Sequence, residues 1–370
     1  MFSSLRVLIA ALLTASVLTA GCTSSNDGGG ASGKSKRIIF LTNGDDPFWD
    51  AAREGLRQAS EELNLEEAGF EAVQHRGNFT AAVQIDHLNQ YATETDVAAV
   101  AISITEPDNK QLMHALRRLA ERGIKVITVD SDVNREKYRD VRFAYLGTDN
   151  IIGGRQLGKA AAKLRSDGGT YMTFVGNAEQ GNSVERINGF AEGAGEKFAS
   201  LGCYTDGGNE QVALDRVRAA LDNFPELNTL VGIWAYNAHA IVQRVQDRNL
   251  RDKTTILVFD ARKIALDDME EGYIDAMVVQ NPYQMGYLSV KLLKAMLDDD
   301  GAAIQEILPD FDPASGKFST ADGDIQDTEL RVVVPDDSSV LSPRDFDESV
   351  IFFRLEEFRK WLADRNLEGS

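Results

Sequence analysis

A chain of 370 residues is longer than one small hydrophobic core requires, and length alone leads us to expect two domains. With 43% hydrophobic and 26% charged residues, the composition is that of an ordinary globular protein. The formal charge of −19 argues against a nucleic-acid partner, because phosphates would be repelled and no basic patch overrides the field.

The chain opens with "MFSSLRVLIAALLTASVLTAGC", in which one basic residue, Arg6, precedes an apolar run from Val7 to Ala20. That run is too short for a comfortable transmembrane span, and residues 1–21 are expected to be a signal peptide. It ends in Leu18-Thr19-Ala20-Gly21-Cys22, small residues before a cysteine, which resembles the lipobox at which a bacterial lipoprotein is cleaved and acylated on Cys22. The alternative is an ordinary secretory signal with Cys22 incidental; on both readings the mature protein is exported. Residues 22–36 are rich in Ser and Gly and are expected to form a flexible tether. Cys203 is the only other cysteine, so acylation of Cys22 leaves no intramolecular disulfide, and Cys203 is expected to be a small buried hydrophobe.

From Arg37 onward, short apolar runs alternate with helical patterns. "RIIFLT" precedes a helix over 48–64, "FEAVQ" one over 80–92, and "VAAVAI" one over 108–122; "KVITV" and "FAYLGT" follow as strands. The second half reads as a helix at 150–165, "TYMTFVG", a helix at 183–200, "LGCYT", a helix at 211–222, "TLVGIW", a helix at 237–248, "TILVFD", a helix at 262–271, "DAMVVQ" and a helix at 283–297. Continuous apolar strands separated by helices predict an α/β fold of two doubly wound parallel-sheet lobes. After Leu297 the acidic, turn-rich stretch "DFDPASGKFSTADGDIQD" leads to the strand "ELRVVV". In the closing segment Val350, Phe353, Phe358, Trp361 and Leu362 fall near one helical face, which predicts a helix packed on its own domain or, alternatively, a surface that docks another protein.

Ligands of open α/β sheets bind beyond the carboxyl ends of the strands, and polar residues concentrate there. Asp45 and Asp46 follow "FLT", Ser103 lies in "AISITEP", Asp130 follows "VITV", Asn237 follows "GIWAY", Asp260 follows "LVF", Gln280 follows "MVV", and Arg186 lies early in a helix. Any one aspartate could be a helix N-cap, but their recurrence in both halves suits a small polyhydroxylated ligand. A carboxylate can accept from adjacent hydroxyls, Asn and Gln both donate and accept, and Arg donates in a fixed fork. In "NGDDPFWD", Phe48 and Trp49 offer flat faces to the C–H side of a sugar ring, or else are core aromatics of a proline-initiated helix.

Catalytic motifs are missing from the sequence. His75, His87, His114 and His239 show no metal-ligand spacing, no metal or cofactor is expected, and there is no nucleophile elbow. "GGRQLGKA" from Gly153 nearly matches a phosphate-binding loop but ends in Ala where Ser or Thr should stand, and lies inside a helical pattern, which points to helix packing. Paired carboxylates such as Asp130 and Asp260 could serve a glycosidase, although nothing in the sequence sets their separation. The acidic stretch does not satisfy the calcium-loop pattern.

Together, "DDPFW", "AISITEPDN", "VITVDSD", "YLGTDNIIGGRQLG", "SVERINGF", "IWAYNAHA", "LVFDA" and "VVQNPYQMG" resemble the type I periplasmic sugar-binding proteins, the ribose, xylose and galactose receptors of ABC importers. The resemblance runs from about Lys36 to Val334. It implies two lobes, over 37–148 plus 281–308 and over 149–280 plus 328–341, with an acidic insert at 309–327 and a C-terminal helix extension at 342–370. Chain crossings are implied near Gly147–Asp149, near Gln280–Asn281 and within 308–328. The implied ligand positions are Asp46, Phe48, Trp49, Ser103, Asp130, Arg186, Asn237, Asp260 and Gln280, with Phe48 and Trp49 sandwiching the ring together with a residue of the second lobe. A ribose receptor would carry Asn at Asp46 and Ser103 and Arg at Ser131; Asp46 is instead similar to hexose receptors. The implied function is capture of a monosaccharide by hinge closure, by a monomer lipid-anchored to the membrane that delivers it to an ABC permease. The alternative is a sensor that presents its closed form to a membrane signalling receptor. A repressor with the same effector fold is disfavoured, since a signal peptide stands in place of a DNA-binding headpiece.

Overall fold

The structure, a computed structural model, describes residues 35–370; the expected signal peptide, Cys22 and nearly all of the expected tether lie outside the described residues. The first lobe begins with β1 (Lys36–Leu41), α1 (Phe48–Glu62), β2 (Phe70–His75), α2 (Ala81–Tyr91), β3 (Val97–Ile102), α3 (Lys110–Glu121), β4 (Lys125–Val129), the single turn α4 (Arg135–Tyr138) and β5 (Tyr145–Gly147). The second lobe continues with α5 (Asn150–Leu164), β6 (Gly169–Val175), α6 (Gly181–Ala194), β7 (Phe198–Thr205), α7 (Glu210–Asn223), β8 (Thr229–Gly232), α8 (Asn237–Asp247), β9 (Thr255–Phe259), α9 (Lys263–Glu270) and β10 (Ala276–Val279). Then come α10 (Pro282–Leu297), α11 (Gly301–Ile307), β11 (Phe311–Asp312), β12 (Lys317–Phe318), β13 (Ile325–Asp327), β14 (Leu330–Val334), β15 (Val350–Arg354) and α12 (Leu355–Ala363).

The six strands of the first sheet lie in the order β13-β5-β4-β3-β1-β2, and the seven of the second in the order β15-β14-β10-β9-β8-β6-β7. Within each, the strands that alternate with helices are parallel, as their unbroken apolar composition requires; every residue of β3 is buried. This is the doubly wound α/β architecture. The strand order reverses beside β1 and β3 in one lobe and beside β6 and β8 in the other, the crevice positions where such sheets take ligands. The chain passes between the sheets after β5, after β10 and after β13, so the lobes share three connections.

Several sequence expectations give way to tertiary structure. The helix expected over 183–200 stops at Ala194, because Gly195 takes a left-handed φ of 73° and ends it, and the chain enters β7 directly. Cys203 is exposed on β7, an edge strand, rather than buried. The C-terminal extension is part strand: the β-branched and aromatic run of β15 pairs in parallel with β14, and its α-helix covers only Leu355–Ala363. Phe358 and Leu362 are buried in the second lobe's core, and Trp361 stacks on Phe358 at 5.7 Å, so the apolar stripe faces its own lobe.

The acidic stretch at 309–327 is likewise more than a surface insert. It folds as the β11–β12 ribbon and ends in β13, which extends the first sheet against β5. Its Asp324 accepts from Arg142 Nη1 at 2.5 Å and Arg139 Nε at 2.8 Å, while Asp132 accepts from Arg142 Nε at 2.8 Å and Nη2 at 2.6 Å. The Arg142 side chain is 0% exposed, and these charge-assisted bonds hold the carboxyls of Asp132 and Asp324 below their usual range against the opposing effect of burial.

Gly154 and Gly158 of "GGRQLGKA" serve close packing of α5 on α6, as expected of helix packing, while Gly153 packs on Phe259 and Leu330 of the sheet. A Cβ on Gly154 would stand 2.1 Å from the Arg186 carbonyl oxygen, so only glycine lets these helices approach and seats Arg186 beneath the cleft.

Candidate functional site

A cavity lies between the lobes at the carboxyl ends of the strands, lined by Asp46, Phe48, Trp49 and Asp130 from one side and Arg186, Trp234, Asp260 and Gln280 from the other, with Asn43, Phe79, Asn182, Ala235 and Tyr236 completing its wall. Of the nine residues expected from sequence, seven meet here. The other two stand behind the wall. Ser103 Oγ donates to Asp130 Oδ2 at 2.8 Å, and Asn237 donates from Nδ2 to Asp206 at 3.0 Å while its Oδ1 accepts from the Trp234 N–H at 3.1 Å.

The two central carboxylates are built alike. Asp130 follows β4 and Asp260 follows β9, each in the left-handed region at φ 61° and 63°, which turns the side chain off the strand end and into the crevice. Each is anchored by a backbone bond from its own amide, to Leu146 O at 3.0 Å and to Val278 O at 2.8 Å. Burial raises the Asp130 carboxyl and pushes that of Asp260 up to about 6, while the Arg186 guanidinium pulls both the other way.

Arg186 lies between them. Its Nη1 is 3.9 Å from Asp260 Oδ2 and donates to Ile233 O at 3.0 Å, its Nε donates to Asn150 Oδ1 at 2.9 Å, and its plane sits 4.4 Å from the centre of the Phe259 ring. Gln280 donates from Nε2 to both Asp260 oxygens at 3.1 Å. From behind, the Gln280 carbonyl accepts from Arg331 Nη1 at 3.4 Å and from Ser370 Oγ at 3.2 Å.

Three buried polar atoms of the cavity residues remain without a hydrogen-bond partner: Arg186 Nη2, Trp234 Nε1 and Gln280 Oε1. Buried donors and acceptors are costly unless paired, so two donors and one acceptor, beside two carboxylates, define what a ligand must offer. The aromatic faces come from both lobes. Phe48 and Trp49 meet edge to face at 4.9 Å, and Trp49, only 1% exposed, also packs on Phe40, so it is core and cavity wall at once. Phe79 stacks on Trp234 across the cleft at 6.0 Å, and Asn182 of α6 lines the same cavity as Asp130 from the opposite lobe.

Phe79, Trp234, Tyr236 and Asn182 escaped the sequence reading. Trp234 and Tyr236 had a visible signal, two aromatics directly after the strand "TLVG", whereas Phe79 sits in the loop after β2 and reaches the cleft through a left-handed φ of 64°. Among the described residues, no group of three or more His, Cys, Asp or Glu is placed to hold a metal ion, and no helix is long and apolar enough to cross a membrane.

A family model for the periplasmic binding protein domain matches residues 38–302, most of the chain. The chain belongs to the periplasmic binding protein family. Among its curated relatives, the fructose import binding protein FruE of Bifidobacterium longum is 27% identical over 325 residues, covering 84% of this chain and 95% of that protein. The D-allose-binding periplasmic protein of Escherichia coli is 21% identical over 265 residues, covering 69% of this chain and 82% of its own length. In structure, the chain resembles an ABC transporter solute binding protein from Burkholderia graminis in complex with D-arabinose, with a TM-score of 0.69 at 22% identity over 84% of this chain and 98% of the other. It also resembles a solute binding protein from Agrobacterium vitis bound to α-D-tagatopyranose, with a TM-score of 0.68 at 20% identity, over 85% of this chain and 100% of the other. These likenesses bear out the type I fold of two doubly wound lobes.

Proposed function

We propose that this periplasmic binding protein captures a monosaccharide between its lobes and delivers it to the permease of a carbohydrate ABC importer, as an exported monomer anchored to the membrane by a lipid on Cys22. The observation that carries the sugar reading is the cavity's unpaired set: Arg186 Nη2, Trp234 Nε1 and Gln280 Oε1 beside the Asp130 and Asp260 carboxylates, between aromatic faces. A sugar matches it group by group. Adjacent hydroxyls can donate to Asp130 and Asp260 while accepting from Arg186 and Trp234, and the ring's C–H face can rest on Phe48 and Trp49. Ser103 and Asn237 act at one remove, by fixing Asp130 and the Trp234 turn.

The mechanism rests on ligand groups contributed by both lobes. A sugar that contacts Asp130 on one side and Arg186 and Asp260 on the other stabilises only the closed arrangement, so binding and closure are one equilibrium. This is a receptor's chemistry, with no covalent step. The curated relatives support the import role by their names, fructose import and D-allose binding.

The test is thermal unfolding of the protein against pentoses, hexoses, ketoses, deoxysugars and polyols. A ligand at a hundred times its dissociation constant adds about 2.7 kcal/mol and raises the midpoint by a few degrees. A rise with one or two monosaccharides is the expected result. A folded protein with no rise across the panel would overturn the sugar reading.

A further inference from the structure

Asp46 lines the cavity, yet both its oxygens are engaged within the protein. Oδ1 accepts from the Phe48 N–H at 2.8 Å, fixing the start of α1, and Oδ2 accepts from Nη2 of Arg262, which belongs to the other lobe. Arg262 is itself held in place: Nη1 donates to Glu210 Oε1 at 2.7 Å, and the guanidinium lies 5.5 Å from the centre of the Tyr236 ring. The Arg262 and Asp46 side chains are 16% and 11% exposed, so this ion pair is far less screened than a surface one.

The backbone that carries Arg262 is clamped by the last residues of the chain. Ala261 N–H donates to Ser370 O at 2.6 Å and Ser370 N–H to Ala261 O at 3.0 Å, a reciprocal pair beside the Asp260 turn. Gly369 lies against the same turn, where a Cβ would stand 2.6 Å from Ala261 O and 3.2 Å from Arg262 Cα. Residues 366–370 also border, with Pro47, Phe48 and Asp50 at the start of α1, the wall of a second cavity.

We propose that Arg262, positioned by Glu210, Tyr236 and the tail at 366–370, is a latch that holds the lobes together at the mouth of the cleft, and that Asp46 serves this closure rather than a ligand hydroxyl. The geometry explains why an aspartate is needed there: one oxygen ties the residue to α1 and the other reaches across. A latch of this kind biases the open–closed equilibrium before any ligand binds, and slows release once one is bound. Only that second consequence rests on the sugar-capture reading.

The experiment is therefore made without sugar. Spin labels on Lys110→Cys and Glu179→Cys, exposed positions on opposite lobes, report the lobe separation by electron–electron double resonance in a chain carrying Cys22→Ser and Cys203→Ser. A short-distance population is expected in this background. Arg262→Gln and Asp46→Asn should each lower the closed-to-open ratio by about tenfold, and the double substitution should lower it no further, as coupled partners do. Arg262→Lys, which keeps the charge but loses the fork, should fall between. Deletion of 366–370 should lower the ratio severalfold with the same helix content.

An unchanged ratio in Arg262→Gln and Arg262→Lys, both folded by circular dichroism, would overturn the latch. So would additive effects of Arg262→Gln and Asp46→Asn. Failure of every sugar in the unfolding panel would overturn the capture reading and leave these distances, and the latch, standing.

Discussion

The turns after β4 and β9 place aspartates of nearly identical backbone, φ 61° at Asp130 and 63° at Asp260, on facing sides of one cavity, but the charged residues just downstream take opposite roles. Two residues beyond Asp130 stands Asp132, locked with Arg142 and Asp324 into a buried ion network within its own lobe. Two residues beyond Asp260 stands Arg262, which leaves its lobe for Asp46. Equal local geometry thus supports a rigid wall on one side and a movable contact on the other, because a strand-end turn dictates only where its aspartate points. The charges downstream find whatever partners the fold brings near.

The largest effect should come from breaking the rigid side. Asp324→Ala leaves the fully buried Arg142 paired with Asp132 alone and strands its Nη1, and chemical denaturation should report a loss of about 3 kcal/mol, the scale for leaving a buried charged donor without its partner. Arg262→Gln, on the movable side, should cost only about 1 kcal/mol of stability, since it removes one contact between the lobes and leaves the core of each lobe intact. Equal losses from the two would dissolve the contrast.

Next in size are Asp260→Ala and Arg186→Ala, which strand buried partners and should each weaken monosaccharide binding by about 2 kcal/mol or more in calorimetry. Near-wild-type affinity in both would remove the site assignment.

Asp260 and the Asp132–Asp324 network also respond oppositely to acid. Asp260 titrates at about 6 in the folded protein, above its unfolded value of about 3.9, so it contributes stability that is full below about pH 4 and lost as pH rises through 6. Asp132 and Asp324 are depressed, so their contribution is present above about pH 4 and lost as pH falls through their folded values. Unfolding midpoints of the ligand-free protein between pH 7 and 5 should therefore show a stabilising component on acidification that Asp260→Asn abolishes. A component that persists in Asp260→Asn would assign it to another group.

The smallest expected effect is that of Ser103→Ala. It removes one bond to Asp130 and should weaken ligand binding by about 1 kcal/mol with little change in which sugar is preferred. A switch in preference would mean that Ser103 reaches the ligand directly.

Much of this was legible in the sequence, for identifiable reasons. Unbroken apolar runs such as "VAAVAI", separated by helical patterns, argue for central strands of covered parallel sheets, and such sheets put polar strand ends in a crevice. Asp130, Asp260 and Gln280 could therefore be named, because their place depends on a local strand end. Phe79, Asn182 and Arg262 could not, since their roles exist only across the cleft and neither periodicity nor spacing encodes which loops will face each other. The segment Val350–Arg354 shows the same limit: its apolar spacing suits a helical face, and the exposed edge of β14 decides it as a strand. The sequence by itself determined two α/β lobes and most of the cavity's polar groups. The tertiary structure alone decided which of those groups line the cavity, which brace their neighbours and which pair across the lobes, because a hydrogen bond or ion pair needs two partners in space and the sequence names only one at a time.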